Sequence, residues 1–544
     1  MIGDKTSPLR ARAAHLLRQG AALSEQARDA EAIAYFRQAV KLAPDFPDAQ
    51  YELGTALHRA GQMEDAAQVF IKLLSAVPAH VPAKLALGGV LIDAKRPAEA
   101  ELLLRRALGE PASQRLKAAL HTNLALALRR QRKDEEALEN YDSATSLDPA
   151  LPGLDIHKAE ALQNLNRYDE AITAYRAALA REPLNPYVHH LYNDLLYRLN
   201  RSDEYLKSYD RVPSTHDLQL GKAQFLLQDK RGEEAYSIYR NLSTGDPGDK
   251  IAAAGVAKAL IMMKCYGEAA EALDVALARH IGDVGLLSRA AEVAILQGDP
   301  QKALTLCAQG LGVARYDQSC LATMSIAFRI MEDERDETLN GYDSHVQVFD
   351  LEPPEGFSRM EDFNAELCAS LNRMHPETRE YINQSLRGGT QTSDHIFGAG
   401  HVLVELLQQR IAEALRRYIE ALKEDNTHPF LSRRSRHFAY SGSWSSRLKD
   451  CGFHVNHIHP QGWISSCYYI GVPDAVKDEK ARAGWIKFGE PAFDLILKNP
   501  VRRAIQPMPG RLVLFPSYMW HGTIPFHGAT PRTTIAFDVV PAYA

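Results

Sequence analysis

Histidines near the C-terminal end of the chain have the spacing of metal ligands. His457 and His459 occur in the sequence Gly-Phe-His-Val-Asn-His-Ile-His-Pro, and residues i and i+2 of an extended chain point to the same side. They can therefore present two imidazoles to one point inside a barrel or sandwich. His521 follows a predicted strand at 511–515. Three such side chains on one face of an Fe(II) ion leave three coordination positions for a bidentate ligand and dioxygen.

A basic residue completes this pattern. Arg532 lies eleven residues beyond His521, at the start of a predicted strand at 533–540. Because a guanidinium binds a carboxylate through two parallel hydrogen bonds, this arginine suits the far carboxylate of a bidentate metal ligand.

Other residues compete for the same roles. His454 and Asn456 form a second same-face pair in the histidine segment, and Asp538 offers a carboxylate from the last strand. We prefer the later histidine pair because a proline and a turn follow it directly. Arg387 and Gln391 are interpreted either as residues of the cleft mouth or as ordinary loop residues.

The elements that must hold these residues change character along the chain. All four tryptophans lie after residue 440, where short β-branched and aromatic runs are broken by glycine and proline. Residues 361–425 are predicted to hold two helices, the second over 402–422, on either side of a polar, glycine-rich segment at 384–392. A strand pattern begins at about residue 432. The sequence thus predicts a helical half followed by a mainly β half.

The helical half repeats itself every 34 residues. The recurring positions are Gly20, Gly54 and Gly88; Ala32, Ala66 and Ala100; Phe36, Phe70 and Leu104; and, after units at Ala137 and Ala171, Ala235, Ala269 and Ala303. Small residues let the two helices of a hairpin approach closely, and we expect the aromatic residue to fill the groove to the next hairpin. Hairpins that cannot bury their apolar faces alone stack into a superhelix.

This pattern resembles the tetratricopeptide repeat (TPR) family, over residues 8–315 as about nine repeats. The resemblance implies a concave groove that binds a protein or peptide partner, and a spacer or dimerisation platform is the alternative. Residues 316–355 contain a charged run and the sequence Leu-Glu-Pro-Pro-Glu-Gly, and they are expected to form a linker. Residues 356–544 form the predicted second domain.

From about residue 435 the sequence resembles the 2-oxoglutarate/Fe(II) oxygenase superfamily, in its bacterial and phage branch. The matching motifs are His457-Ile-His459-Pro460, Ser465-Ser-Cys-Tyr-Tyr-Ile470, Pro509-Gly-Arg-Leu-Val-Leu-Phe-Pro-Ser517, His521 and Arg532-Thr-Thr-Ile-Ala-Phe537. The resemblance implies an α+β multidomain protein, a TPR superhelix followed by a double-stranded β-helix (jelly roll) with flanking helices. It also implies that His457, His459 and His521 bind Fe(II), and that Arg532 and Thr534 bind the cosubstrate 2-oxoglutarate.

One departure from the superfamily pattern affects the chemistry. Most members have His-x-Asp or His-x-Glu, whereas position 459 is histidine. A neutral third ligand leaves an Fe(II) site one negative charge short. Three-histidine iron sites occur among cupin-type dioxygenases, so the geometry is viable.

Three functions are compatible with these features. The preferred one is a 2-oxoglutarate- and Fe(II)-dependent dioxygenase that hydroxylates a protein or peptide recruited by the TPR array. The second is a TPR scaffold protein with a catalytically degenerate oxygenase fold. The third is a three-histidine metal dioxygenase that does not use 2-oxoglutarate, for which Arg532 would be dispensable.

Composition limits the remaining possibilities. A chain of 544 residues is too long for one hydrophobic core, and a net charge of −5 gives no electrostatic reason to expect nucleic acid or an anionic membrane as partner. The six cysteines form no Cys-x-x-Cys pair, and no run approaches about 18 consecutive apolar residues. We expect a cytoplasmic protein with free thiols, no signal peptide and no membrane span.

Overall fold

Antiparallel helix pairs build the first of the two units into which the chain divides, Met1–Pro183 and Leu184–Ala544. The structure is a computed structural model that describes residues 8–201, 203–375, 384–392 and 395–542. The described helices of the first unit are α1 (Pro8–Ser24), α2 (Asp29–Leu42), α3 (Pro47–Arg59), α4 (Met63–Ala76), α5 (Val81–Asp93), α6 (Pro97–Leu108), α7 (Gln114–Arg130), α8 (Asp134–Leu147), α9 (Leu154–Asn164) and α10 (Tyr168–Arg181).

Glycines of the first three hairpins make room for a large side chain. A Cβ atom on Gly54 in α3 would lie 2.7 Å from the ring of Phe70 in α4, and one on Gly88 in α5 would lie 2.7 Å from Leu104 in α6. The large residue therefore packs against the glycine of its own hairpin. In these hairpins the missing Cβ leaves room for the large residue inside the pair, whereas the expected packing against the next hairpin occurs further along the chain, between Tyr239 and Gly255.

This packing predicts opposite effects at two adjacent glycines of α5. Gly88→Ala should lower the free energy of unfolding by about 1–3 kcal/mol, since the new methyl group overlaps the buried Leu104 side chain. At Gly89 a Cβ atom would meet nothing closer than 3.7 Å, so Gly89→Ala should stabilise the helix by up to about 1 kcal/mol. Thermal unfolding of the two variants checks this prediction. Equal shifts of their melting temperatures would contradict the packing of Leu104 against Gly88.

Helical repeats continue in the second unit. Its described helices before the first strand are α11 (Pro186–Arg198), α12 (Lys207–Asp210), α13 (His216–Gln228), α14 (Gly232–Gly245), α15 (Lys250–Met262), α16 (Tyr266–Arg279), α17 (Val284–Leu296), α18 (Pro300–Val313), α19 (Gln318–Ile330) and α20 (Arg335–Asn340). Here Tyr239 of α14 packs against Gly255 of α15, in the next hairpin.

The segment 316–355, expected to be a linker, is structured. It holds α19, α20 and a strand, β1 (Gln347–Asp350), which pairs with a later strand. Its charged residues Glu332 and Glu337 are exposed, as expected of a solvated face, and form surface ion pairs with Lys498 at 3.1 Å and with Arg502 at 3.3 Å. A four-residue strand with one exposed face has too little apolar pattern to be recognised from sequence.

Antiparallel sheets follow, as predicted for the C-terminal half. The remaining described elements are α21 (Met360–Asn372), β2 (Leu386–Gln391), α22 (Val402–Ala421), β3 (Phe438–His454), β4 (Ile464–Gly471), β5 (Ile486–Phe488), β6 (Arg503–Ile505), β7 (Arg511–Pro516), β8 (His521–Thr523) and β9 (Arg532–Pro541). Among the described residues, one sheet has the order β1-β7-β4-β9-β3-β2 and a smaller one the order β6-β5-β8. The helical repeats followed by these sheets give the α+β class.

One hydrophobic core links the last repeats of the second unit to the larger sheet. Its buried members include Ile326 of α19, Tyr418 of α22, Leu512 of β7 and Phe537 of β9. The indole nitrogen of Trp520, next to His521, donates to the carbonyl of Ala322 in α19 at 3.1 Å. The elements that hold the histidines thus pack directly on repeat helices of the same unit.

A membrane span would require a long helix of sustained apolar character. Within the described parts of the chain, none of the helices has both properties.

Candidate metal centre

The structure brings His457, His459 and His521 together. One ring nitrogen from each lies within 4.8 Å of the others, and the ring centroids are separated by 4.2–5.1 Å. Two backbone hydrogen bonds join His457 and His521. The N–H of His457 donates to the carbonyl of His521 at 2.9 Å, and the N–H of His521 donates to the carbonyl of His457 at 3.1 Å. The segment between β3 and β4 is thereby attached to the start of β8, and the two sheets meet at the histidines.

Each imidazole is oriented by a hydrogen bond at Nδ1. His457 Nδ1 contacts the carbonyl of Val455 at 2.8 Å, and His521 Nδ1 contacts the carbonyl of Met519 at 3.0 Å. His459 Nδ1 contacts Asp538 Oδ2 at 2.6 Å. Carbonyl and carboxylate oxygens only accept, so Nδ1 carries the proton in all three rings. The lone pair of each ring is then on Nε2, where a metal ligand needs it.

Burial keeps the rings of His457 and His521 neutral. Desolvation, followed by the charge of His459, lowers the pKa of His457 to about 3. Desolvation, followed by the charge of His457, holds the pKa of His521 well below its usual range. Metal ions bind the neutral form of imidazole, so at neutral pH no proton has to leave these two ligands.

Arg532 shares a cavity of about 130 Å³ with the three histidines. The cavity lies between the two sheets, with Arg532 and Thr534 from β9 and His521 from β8 among its lining residues. Arg532 is 1% exposed, and its Nε and Nη1 atoms have no hydrogen-bond partner among the described residues. Its guanidinium carbon lies 4.9 Å from the centroid of the Tyr469 ring.

A buried guanidinium without a counter-ion is costly, because a charge removed from water needs pairing and hydrogen bonds. A carboxylate in the cavity would supply the missing counter-ion and accept charge-assisted hydrogen bonds from the Arg532 guanidinium. The donor set therefore fits both groups that the resemblance implies, a divalent iron on the three Nε2 atoms and a dicarboxylate anchored at Arg532 and Thr534.

The other candidates take different places. Asp538 lies behind His459 rather than beside the other ring nitrogens. His454 lines the cavity, whereas Asn456 donates its amide hydrogen to the carbonyl of Pro491, which breaks the alternative pair. Gln391 also lines the cavity, but Arg387 bonds backbone carbonyls near its own position.

Two cavity residues escaped the sequence analysis. Trp444 of β3 stacks on His459, with centroids 5.6 Å apart and planes at 15°, and Ser385 places its hydroxyl 3.3 Å from His457 Nε2. Both are distant from the histidine segment in sequence. Only the pairing of β3 with β9 and with β2 brings them to the site, so no local signal could have identified them.

A second group of possible ligands lies on the surface. Asp450, Cys451 and His527 also place ligand atoms within 4.8 Å of one another among the described residues, but all three side chains are exposed. Their contacts, such as 3.3 Å between Cys451 Sγ and His527 Nδ1, are explained by hydrogen bonding alone.

Known families agree with this architecture. Residues 442–538 match the family described as "Putative 2OG-Fe(II) oxygenase". Three tetratricopeptide-repeat models match the helical part of the chain. One matches residues 17–81 and 157–213, the second residues 57–124 and the third residues 118–151. The chain therefore combines N-terminal tetratricopeptide repeats with a C-terminal region that matches the putative 2OG-Fe(II) oxygenase family. No curated protein matches it.

Several solved TPR structures are similar to parts of the chain. A thermophilic TPR protein of Thermus thermophilus has 22% identity and a TM-score of 0.30, over 34% of this chain and 99% of its own. The Pseudomonas aeruginosa protein pilF has 18% identity and a TM-score of 0.34, over 40% of this chain and 100% of its own. A TPR protein of Parabacteroides merdae has 19% identity and a TM-score of 0.32, over 46% of this chain and 98% of its own.

The geometry predicts one tight metal site for each chain. His521→Ala should abolish tight binding of Co(II), a redox-stable substitute for Fe(II), because it removes one of the three converging nitrogens. His527→Ala deletes an exposed imidazole of the surface group and should leave the affinity unchanged. Calorimetric titration of the metal-free protein measures both, and loss of the tight site in His527→Ala instead would contradict the assignment.

Proposed function

We propose that this protein is a 2-oxoglutarate- and Fe(II)-dependent dioxygenase that hydroxylates a protein or peptide recruited by its TPR array. Bound Fe(II) would couple the oxidative decarboxylation of 2-oxoglutarate, to succinate and CO2, with insertion of the other oxygen atom of O2 into a C–H bond. His457, His459 and His521 would hold the metal through their Nε2 atoms.

The buried guanidinium of Arg532, whose Nε and Nη1 atoms have no hydrogen-bond partner among the described residues, carries this proposal. It lies in the same cavity as three imidazoles whose Nε2 lone pairs are available. A dioxygenase that does not use 2-oxoglutarate would leave this charge without a partner, and a purely structural fold would gain by replacing it with an apolar residue. A cosubstrate with a second carboxylate gives Arg532 a role that neither alternative provides.

The residues of the chain supply positioning and exclusion of water. Arg532 and Thr534 would orient the far end of the cosubstrate, and the apolar walls formed by Phe515 and Ile486 would keep bulk water from the metal. Trp444, stacked on His459, forms another wall. The TPR repeats support the choice of a protein or peptide substrate, because such arrays present extended binding surfaces.

Arg532→Met tests the cosubstrate. Wild-type protein loaded with Co(II) should gain about 2.7 kcal/mol of stability when 2-oxoglutarate is present at about 100 times its Kd. The variant should lose this gain, yet be at least as stable as wild type without ligand, because it removes an unpaired buried charge.

Arg511→Met is the matched control for that experiment. Arg511 is paired with Asp350 at 2.8 Å, so this change removes a guanidinium outside the cavity and should retain the stabilisation by 2-oxoglutarate. If Arg532→Met keeps the full stabilisation, or the wild type has none, the cosubstrate assignment is wrong.

Recruitment by the repeats predicts a separation of two activities. A chain that lacks residues 1–183, the first compact unit, should still consume 2-oxoglutarate without substrate, but it should no longer transfer oxygen to proteins. Isotopically labelled dioxygen and mass spectrometry of proteins from an extract measure this transfer. Equal labelling by the full and shortened chains would show that the first unit does not select the substrate.

A further inference from the structure

Asp538 holds His459 from behind. Its Oδ2 accepts a hydrogen bond from His459 Nδ1 at 2.6 Å, and its Oδ1 accepts one from the hydroxyl of Ser465 at 2.6 Å. Ser465 lies opposite Asp538 in the β4–β9 pair, and its hydroxyl is also 2.9 Å from that of Ser517. Both carboxylate oxygens are therefore occupied, and the side chain is only 14% exposed.

His459 differs from the other two histidines in this respect. The Nδ1 atoms of His457 and His521 donate to backbone carbonyls, which carry no net charge. Of these three rings, His459 alone is bonded to a carboxylate through Nδ1. It is also the ligand that stands where most members of the oxygenase superfamily have an acidic residue.

Three contacts restrain His459. Its backbone N–H donates to the carbonyl of Ser517 at 2.9 Å, and Trp444 stacks on its face. With Asp538 at Nδ1, the ring can neither flip nor exchange tautomer without breaking a short, charge-assisted hydrogen bond. Nε2 consequently remains directed at the cavity that also contains His457 and His521.

We propose that Asp538 is the positioning residue of the metal centre, which supplies through His459 the negative charge that an acidic ligand would otherwise give directly. This inference rests on the proposed function. A histidine that donates its second N–H to a carboxylate is a more basic and better oriented ligand. The charge remains close to the metal but is moved outward by the width of one imidazole. The histidine at 459 and the aspartate at 538 are then two parts of a single arrangement.

The experiment is a titration of the metal-free, full-length protein with Co(II), followed by calorimetry and visible absorbance. Asp538→Asn keeps the size of the side chain and removes its charge, so the affinity for Co(II) should fall by about 10- to 100-fold. The ligand-field bands of the bound Co(II) should shift as well. Asp474→Asn, the same change at an exposed aspartate paired with Lys477 outside the cavity, should change neither.

A double-mutant cycle separates positioning from general structure. In a His459→Ala background only the weak Co(II) binding of the two remaining imidazoles is left, measured at higher metal concentration, and Asp538→Asn should not weaken it further, because the charge acts through the imidazole. If Asp538→Asn does not fold, Ser465→Ala keeps the charge and removes one of its hydrogen bonds, and a smaller loss in the same direction is expected.

Two results would overturn the inference while the proposed function stands. The first is a Co(II) affinity in Asp538→Asn equal to that of the wild type. The second is a loss of Co(II) affinity on Asp538→Asn that is equally large in the presence and absence of His459. A wild-type protein that binds no Co(II) would instead overturn the proposed function, and the inference with it.

Discussion

The exchange of backbone hydrogen bonds between His457 and His521 is the contact on which the rest of the site depends. It attaches the end of the segment after β3 to the start of β8, and so determines where the larger and the smaller sheet face each other. The cavity is lined by residues of both sheets beside this bridge. With that register established, two imidazoles from one segment and one from another converge on the same point.

Electrostatics then determines what the cavity accepts. The Nε2 lone pairs of the three imidazoles suit a metal cation, and the buried Arg532 attracts an anion in the same space. A metal ion with a chelating dicarboxylate satisfies both demands at once, whereas either component alone leaves a buried group unpaired. Asp538, on the outer side of His459, adds the negative charge that three neutral ligands lack. Each charged group therefore has a partner when both ligands are bound.

Much of this could be predicted from sequence, for identifiable reasons. The repeats carry a 34-residue period that survives in alanine and glycine positions, and His457 and His459 share a side because an extended chain alternates. The stacking of Trp444 on His459 and the bond from Asp538 to the same ring depend instead on strand register, which no local pattern records. The strand at Gln347–Asp350 was missed because four residues that are half exposed resemble a linker.

The central claim is that one cavity holds Fe(II) on three histidines together with 2-oxoglutarate on Arg532. Visible absorbance under anaerobic conditions tests it most directly, since a keto acid chelating Fe(II) produces a weak metal-to-ligand charge-transfer band. This band is expected when Fe(II) and 2-oxoglutarate are added together to the wild-type protein, and with neither alone. Tightly bound iron without the band in the presence of 2-oxoglutarate would contradict it.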